Sequence, residues 1–361
     1  MVNYLFAKVK LGEIELQNRM VMAPMTRLRA TEDCLASPSM VEYYRQRASV
    51  GLIITEGSHP GPMGRGYTYP PGIHTKEQAV AWRKVTEAVH EEGGRIILQL
   101  MHAGRVTHSS FLPGHALPVA PSAIAVSGLI HTFEGKVPFE VPRELATEEI
   151  PGVIAEYRHA AELAVTAGFD GVELHAATGY LPHQFQATGS NHRTDAYGGS
   201  LENRSRFTME ILRALCEVWG AGRVGIKIAP GYTVNDMYDE DPAATYTYLV
   251  QQLNPMGLAY LHVGYESGYT RGTGPDFNPI DLLRKEYSGT LLAAGGFTKE
   301  TGNAILASGR ADGVVFGRAF IANPDLVERF RRDAPLNEPG DISTFYGGGA
   351  RGYTDYPTLA D

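Results

Sequence analysis

The sequence predicts an α/β fold, and within that class a closed (β/α)8 barrel of the TIM type, formed as one domain over residues 1–361. Eight short runs rich in Val, Ile and Leu recur along the chain, each bounded by Gly, Pro or polar residues. Near-continuous apolar runs are typical of parallel strands that are buried on both faces. Helical patterns separate these runs, and the chain length suits one barrel, so a closed barrel is favoured over an open doubly wound sheet.

The predicted strands and helices alternate along the chain. In chain order the strands cover residues 19–25, 51–57, 95–101, 169–175, 223–229, 258–264, 289–296 and 311–317. The clearest helix covers 148–168, with Thr147 predicted as its N-cap and Gly168 as its end. A second begins at Ser200 and ends at Gly220 in the same manner. Further helices are predicted over 77–93, 241–254, 299–308 and 324–333.

The stretch 102–146, after the third strand, is too long for a simple strand-to-helix loop. It contains Gly, Pro and His but little helical pattern. We therefore expect an elaborated loop over the mouth of the barrel, in the form of a hairpin or a lid.

Composition excludes several classes of function. The net charge of −8 and the absence of a basic stripe argue against a nucleic-acid partner. The apolar runs are only strand-length, so no membrane span is expected, and the first residues lack the pattern of a signal peptide. A cytoplasmic location is the resulting expectation. Two distant cysteines, Cys34 and Cys216, and histidines without ligand spacing predict neither a disulfide framework nor a metal site.

Polar or small residues stand where the predicted strands end, which is the edge at which barrel enzymes place their chemistry. They are Thr26, Gly57, Gln99, His175, Lys227, Gly295, Gly296, Gly317 and Arg318. The glycines of "AAGGFT" and "FGRAF" follow the seventh and eighth strands, the usual phosphate site of this fold. Tight turns alone would also explain glycines, but two such loops at this pair of positions favour a phosphate.

Three further strand-end residues gain a role if a phosphorylated planar cofactor lies across the barrel. The Gln99 amide can pair with the imide edge of a ring, and Lys227 would stabilise a ring that becomes anionic on reduction. The Thr26 hydroxyl could donate a hydrogen bond to the ring. Each residue also has a structural alternative, such as satisfying loop backbone or reaching solvent. The segment "ELHAATGYLPHQF" adds four side chains that handle protons, namely His175, Thr178, Tyr180 and His183.

Longer motifs give the sequence a family resemblance. "VMAPMTRLRA", "QLMHAGRVTH", "HAATGYLPHQF", "RTDAYGGSLENRSRF" and "FYGGGARGYTDYP" together resemble the old yellow enzyme family of FMN-dependent ene-reductases, in its bacterial branch. The resemblance covers nearly the whole chain. It implies a barrel with noncovalent FMN at the carboxyl ends of the strands. NADPH or NADH would reduce the FMN, and an activated alkene would then enter the same pocket. The protein is expected to be a monomer or a homodimer.

The resemblance also assigns roles to residues. It implies that Pro24, Thr26, Gly57, Gln99, His175 and Lys227 line the flavin and that Gly295, Gly296, Gly317 and Arg318 hold its phosphate. His175 and Thr178 take the positions that anchor the substrate carbonyl oxygen, Tyr180 that of the proton donor, and His183 is expected to be structural. Tyr67, Met101 and Tyr346 should shape the substrate side.

The chain departs from the family at several of these positions. Thr178 replaces the usual His or Asn, Lys227 replaces the usual Arg, and Met101 stands where many relatives carry an aromatic residue. One alternative is therefore an FMN-binding relative with weak or lost ene-reductase turnover. Another is a flavin-free lyase or isomerase that binds a phosphorylated substrate. An iron–sulfur reductase is excluded because two cysteines cannot hold a four-iron cluster.

Overall fold

The computed structural model describes residues 3–265, 277–338 and 340–359. In chain order its strands are β1 (Val9–Leu11), β2 (Ile14–Leu16), β3 (Met20–Met22), β4 (Leu52–Ile54), β5 (Ile96–Leu100), β6 (Val119–Ala120), β7 (Leu129–Thr132), β8 (Gly135–Pro138), β9 (Arg143–Glu144), β10 (Val172–Ala176), β11 (Val224–Ile228), β12 (Tyr260–Gly264), β13 (Leu291–Ala294) and β14 (Gly313–Phe316). Its helices are α1 (Pro38–Arg45), α2 (Lys76–Glu91), α3 (Ile150–Thr166), α4 (Leu181–Gln186), α5 (Leu201–Trp219), α6 (Pro242–Leu253), α7 (Pro279–Glu286), α8 (Lys299–Ala307), α9 (Arg318–Ala322) and α10 (Leu326–Arg332).

All eight predicted strands form, and they close into a parallel barrel. The order around the barrel is β3, β4, β5, β10, β11, β12, β13 and β14, after which β14 pairs with β3. Almost every residue in these strands is buried, because one face packs against the helices and the other fills the barrel. The predicted (β/α)8 fold is therefore confirmed.

A short β1–β2 hairpin, which the sequence analysis did not predict, closes the amino-terminal end of the barrel. Leu11, Ile14 and Leu16 pack with inward-facing strand residues such as Val21. The hairpin turn needs Gly12, whose φ is +55° and where an added Cβ would lie 2.3 Å from the Gly222 carbonyl oxygen. The opposite end of the barrel, where the strands end, carries the long loops.

The helices follow the prediction with one error in capping and some omissions. Ser200 caps α5 by accepting a hydrogen bond from the Asn203 N–H, as expected. The prediction that Thr147 caps α3 is wrong, because a 3₁₀ turn precedes that helix and the Thr147 hydroxyl instead donates to Asp195. Helices α1, α4, α7 and α9 were not predicted, and all four are eight residues long or shorter.

The insertion after β5 contains a hairpin, as predicted, formed by antiparallel β7 and β8, while β6 pairs with β9. Arg105 fixes this segment to the loop after β11, since its guanidinium donates to the carbonyl oxygens of Ile124, Asn235 and Asp236. The inserted segment therefore lies over the carboxyl ends of the strands. Among the described helices, none is long and apolar enough to cross a membrane.

Candidate active site

A cavity of about 400 Å³ lies at the carboxyl ends of β10 to β14 and of β3. Its lining includes six of the residues predicted from the sequence, namely Thr178, Lys227, Gly295, Gly296, Gly317 and Arg318. Residues that are up to 140 positions apart in the chain thus meet at one site, because they all follow neighbouring strands of the barrel.

The glycine loops keep one end of this cavity open. A Cβ at Gly295 would lie 2.9 Å from the Tyr265 carbonyl oxygen, and Gly296 has a φ of +69°. Larger residues are therefore disfavoured at both positions. An added Cβ at Gly317 would meet only ordinary contacts, the nearest to Ala23 at 3.6 Å. Arg318 follows directly and is exposed.

Thr26, Gln99 and Lys227 present polar atoms that no described residue satisfies. The Thr26 hydroxyl, the Gln99 Oε1 and the Lys227 Nζ make no hydrogen bond or ion pair within residues 3–265, 277–338 and 340–359. Burial lowers the pKa of Lys227, and the negative charge of Glu173 opposes that shift. Pro24 is half-buried in the same loop as Thr26.

Gly57 has a different neighbour from the one expected. A Cβ at this position would lie 2.6 Å from the Met101 Sδ, so the close approach of Met101 requires a glycine. Nothing in the described structure shows Gly57 lining the 400 Å³ cavity. Its contact with a flavin stays a prediction.

Beneath these groups lies a carboxylate that the sequence analysis overlooked. Glu173 is fully buried, and its Oε1 accepts a hydrogen bond from the Gln99 Nε2 at 2.7 Å. Its Oε2 lies 3.0 Å from the Nδ1 of the buried His262. An acidic residue inside an otherwise apolar strand was the available signal, since buried charges are rare unless they are paired.

His175 is held as a neutral imidazole that carries its proton on Nε2. The Ala177 N–H donates to its Nδ1 at 3.3 Å, so Nε2 carries the proton. Burial, followed by the positive charge of Lys227, lowers the pKa of His175 well below its ordinary value. The Thr178 hydroxyl lies 3.3 Å from Nε2. The geometry brings His175 and Thr178 together as the sequence predicted.

Thr178 adopts an unusual backbone conformation. Its φ is +52°, and Gly179 follows with +86°. The Asn235 Nδ2 donates to the Thr178 carbonyl oxygen at 2.8 Å and so holds the turn from the loop after β11. This turn lifts the Thr178 side chain to the cavity wall.

Tyr180 stands beside His175 with its phenol in an apolar pocket. The two rings are 4.8 Å apart in an edge-to-face arrangement. The Tyr180 and Tyr67 hydroxyls are 2.6 Å apart, and Met101 packs in the same cluster. Burial raises the pKa of Tyr180 well above its ordinary value, with a further contribution from Tyr67, so the phenol stays protonated at neutral pH.

Two other residues from the sequence analysis lie at the edge of the site or behind it. Tyr346 is 65% exposed and is near enough to raise the pKa of Tyr67 and Tyr180 slightly. His183 is buried in α4, where its Nδ1 accepts from the Gly179 N–H at 3.0 Å. Burial lowers the pKa of His183 to about 3, which suits the structural role expected for it. Within the described residues, no cluster of His, Cys, Asp or Glu could hold a metal ion.

Known proteins resemble this chain over nearly its whole length. Residues 4–337 match the family described as "NADH:flavin oxidoreductase / NADH oxidase family". The chain is 43% identical to 12-oxophytodienoate reductase 1 of Oryza sativa subsp. japonica, covering 99% of this chain and 93% of that protein. It is 42% identical to a probable flavin mononucleotide-dependent alkene reductase of Leishmania infantum, covering 99% and 98%. Morphinone reductase, solved in complex with tetrahydroNAD, superposes with a TM-score of 0.93 at 47% identity, covering 99% of this chain and 98% of that chain.

Proposed function

Because the chain belongs to the NADH:flavin oxidoreductase family, as an FMN-dependent ene-reductase of the old yellow enzyme type, we propose that it reduces α,β-unsaturated carbonyl compounds at the site of His175, Thr178 and Tyr180. Nitro compounds and nitrate esters are further proposed substrates. We propose NADH or NADPH as the hydride donor, on the strength of the morphinone reductase complex with tetrahydroNAD. The observation that carries the proposal is the contact between the buried His175 imidazole and the buried Tyr180 phenol, whose ring centres are 4.8 Å apart. Burial favours the neutral form of both groups by lowering the pKa of His175 and raising the pKa of Tyr180.

The chemistry of the cavity and of the neighbouring strand ends fits FMN. Gly295, Gly296, Gly317 and Arg318 line one end of the cavity, where backbone N–H groups without flanking side chains and the positive charge of Arg318 suit a phosphate. Lys227 lines the cavity and can donate, and near the ends of β3 and β5, outside that lining, Thr26 can donate and the Gln99 oxygen can accept. This donor set matches the carbonyl and N–H edge of a pyrimidine ring. When bound, FMN supplies the hydride that passes from the nicotinamide to the alkene.

His175 stabilises the charge that develops on the substrate. Hydride addition at the β-carbon of an enone gives negative charge on the carbonyl oxygen, as an enolate. The Nε2–H of His175 is a fixed donor in a buried site, so it stabilises that oxygen more than the uncharged carbonyl. The Thr178 hydroxyl oxygen accepts from the same Nε2–H at 3.3 Å, and its own O–H can donate to the substrate oxygen as a second donor. One donor of this kind contributes about 2.7–4 kcal/mol to the transition state.

Tyr180 delivers the proton that completes the reduction. The α-carbon of the enolate needs a proton, and the raised pKa of the phenol keeps one available at neutral pH. The Tyr67 hydroxyl, 2.6 Å away, can hydrogen-bond to the phenolate that the transfer leaves. Proton delivery and oxyanion stabilisation are thus assigned to two adjacent side chains.

Substitution of Tyr180 by Phe separates the two half-reactions. We expect the flavin of Tyr180→Phe to be reduced by NADPH within about twofold of the wild-type rate, since this step needs no proton from Tyr180. Reoxidation by a weakly activated alkene should slow by about 10²-fold, the usual contribution of a general acid. Stopped-flow absorbance of the flavin measures both rates.

Tyr67→Phe is the matched control, because it removes the neighbouring hydroxyl and leaves the Tyr180 phenol in place. Its reoxidation rate should fall much less than that of Tyr180→Phe. If flavin reduction and flavin reoxidation slow equally in Tyr180→Phe, the assignment of Tyr180 as proton donor is contradicted.

A further inference from the structure

We propose that Glu173 is a positioning residue for the flavin. It determines whether Gln99 presents its oxygen or its NH2 group to the pyrimidine ring, and it sets the charge balance around Lys227. This inference rests on the proposed function, since it takes the pyrimidine ring to lie at Gln99 and Lys227. It adds a residue with no contact to substrate and with no role in the transfer of hydride or proton.

The first support is the placement of the carboxylate. Glu173 lies two residues before His175 on β10, so both side chains leave the strand on the same face. Gln99 is the register partner of Glu173 on β5. Lys227 on β11 is the register partner of His175 and of His262 on β12. Glu173 therefore hydrogen-bonds to Gln99 and His262 inside the barrel, and Lys227 lies near enough to feel its charge.

The second support is the direction of the hydrogen bonds. An ionised carboxylate only accepts, so the Gln99 end that lies 2.7 Å from Glu173 is the NH2 group. The Gln99 oxygen then has no partner among the described residues and remains available to accept from a ring N–H. Without the carboxylate, the Gln99 amide could turn over and present a donor instead.

The third support is electrostatic. A fully buried carboxylate is costly unless opposite charge or hydrogen bonds compensate it. Glu173 favours the charged form of Lys227 against burial, although the two groups form no direct ion pair in the described structure. A fixed negative charge beside Lys227 also offsets part of the positive potential that would stabilise a reduced, anionic ring.

Two substitutions separate positioning from charge. Glu173→Gln keeps the size and removes the charge, so we expect the midpoint potential of bound FMN to shift to more positive values. FMN should also dissociate about tenfold faster, a loss comparable to that of one hydrogen bond to a charged group. Glu173→Asp keeps the charge but shortens the reach to Gln99. It should speed FMN dissociation by a similar factor while the potential stays at the wild-type value.

Both quantities are measured on the holoenzyme without any substrate, by dye-coupled reduction for the potential and by flavin fluorescence on dilution for the dissociation. Wild-type potential and wild-type dissociation in Glu173→Gln would overturn the inference. If Glu173→Gln does not fold, unchanged FMN dissociation in Glu173→Asp overturns it. A wild-type protein that binds no FMN would overturn the proposed function itself, whereas yellow wild-type protein with unaffected variants removes only the role of Glu173.

Discussion

Thr178 occupies a backbone conformation that suits its residue type poorly, directly beside the proposed oxyanion site. A φ of +52° is uncommon for any residue with a Cβ and is a genuine outlier for a β-branched one. The left-handed region costs an L-residue roughly 1–2 kcal/mol. The bond from Asn235 to the Thr178 carbonyl and the following Gly179 hold the turn in place. Strain of this kind is common at functional sites.

Replacing Thr178 by Asn should relieve the strain and improve the anchor together. Asn tolerates the left-handed region, so we expect Thr178→Asn to raise the free energy of unfolding by about 1 kcal/mol. Its longer amide should also bind a phenolic ligand that mimics the enolate more tightly. Urea unfolding and ligand titration of the flavin absorbance measure the two effects.

Thr178→Val is the control, because it keeps the shape and the strain and removes only the hydroxyl. Its stability should stay near that of the wild type while its affinity for the phenol falls. A Thr178→Asn variant less stable than the wild type would show that the turn is not strained as its φ indicates.

At the scale of elements, the insertion after β5 and the loop after β11 act as one support for the Thr178 turn. Arg105 is almost fully buried, and its guanidinium donates to one carbonyl on the insertion and two on the loop. The planar fork of arginine makes these three bonds at once, which a lysine ammonium cannot do in the same geometry. Asn235, on the same loop, then bonds to Thr178.

Arg105→Lys should therefore loosen this support without opening the barrel. We expect a loss of about 1–3 kcal/mol in unfolding free energy, from carbonyls and charge left without full partners. Backbone amides in 232–238 and 122–127 should exchange with solvent faster, while those of β10 and β11 keep their protection. Hydrogen exchange with peptide-level mass analysis measures this pattern.

Arg143 is the matched control on the same insertion, because its ion pair with Glu149 is exposed at both ends. Arg143→Lys should change the stability by less than about 0.5 kcal/mol, as is usual for surface pairs. Uniformly faster exchange across the barrel in Arg105→Lys would argue against a local support.

At the scale of the whole molecule, several buried histidines make stability depend on pH. Burial lowers the pKa of His59 to about 3, of His102 to about 4 and of His183 to about 3. In the unfolded chain each titrates near 6.5. Between these values the unfolded chain binds more protons, so the stabilisation is complete above pH 6.5 and is lost as the pH falls toward 3. Burial raises the pKa of Glu56 to about 7. Between pH 4.5 and 7 the folded chain therefore binds more protons at Glu56 than the unfolded chain does, which offsets the effect of one histidine.

The free energy of unfolding should therefore fall from pH 7 to pH 5, with each buried histidine contributing up to about 1.4 kcal/mol per pH unit. Urea unfolding across this range measures the slope. His102→Asn is the informative variant, because the His102 Nδ1 accepts from the Gly104 N–H at 3.0 Å and an Asn oxygen can take its place. The pH dependence of its unfolding free energy should be weaker than that of the wild type by the contribution of one proton, about 1.4 kcal/mol per pH unit. An identical slope would contradict the buried, neutral state of His102.

The barrel strands and much of the candidate site could be predicted from the sequence alone. Strand positions were readable because a barrel strand is apolar on both faces, and the family motifs placed Thr178, Lys227 and the two glycine loops at one site. The β1–β2 hairpin was missed because its strands alternate exposed and buried residues and so lack the continuous apolar run of a barrel strand. The link from Gln99 through Glu173 to His262 was missed because it depends on the register of strands far apart in sequence.

The hairpin at the closed end of the barrel also constrains how the chain can be assembled during synthesis. Its Glu13 N–H donates to the Gly222 carbonyl oxygen, and its carboxylate contacts Arg223, 210 residues later in the chain. At translation rates of about 5–20 residues per second, the hairpin leaves the ribosome about 10–40 s before its docking site exists. Throughout that interval the apolar side chains of Leu11, Ile14 and Leu16 have no complete barrel end to pack against. The nascent chain must therefore keep its first segment unaggregated until most of the protein has been made.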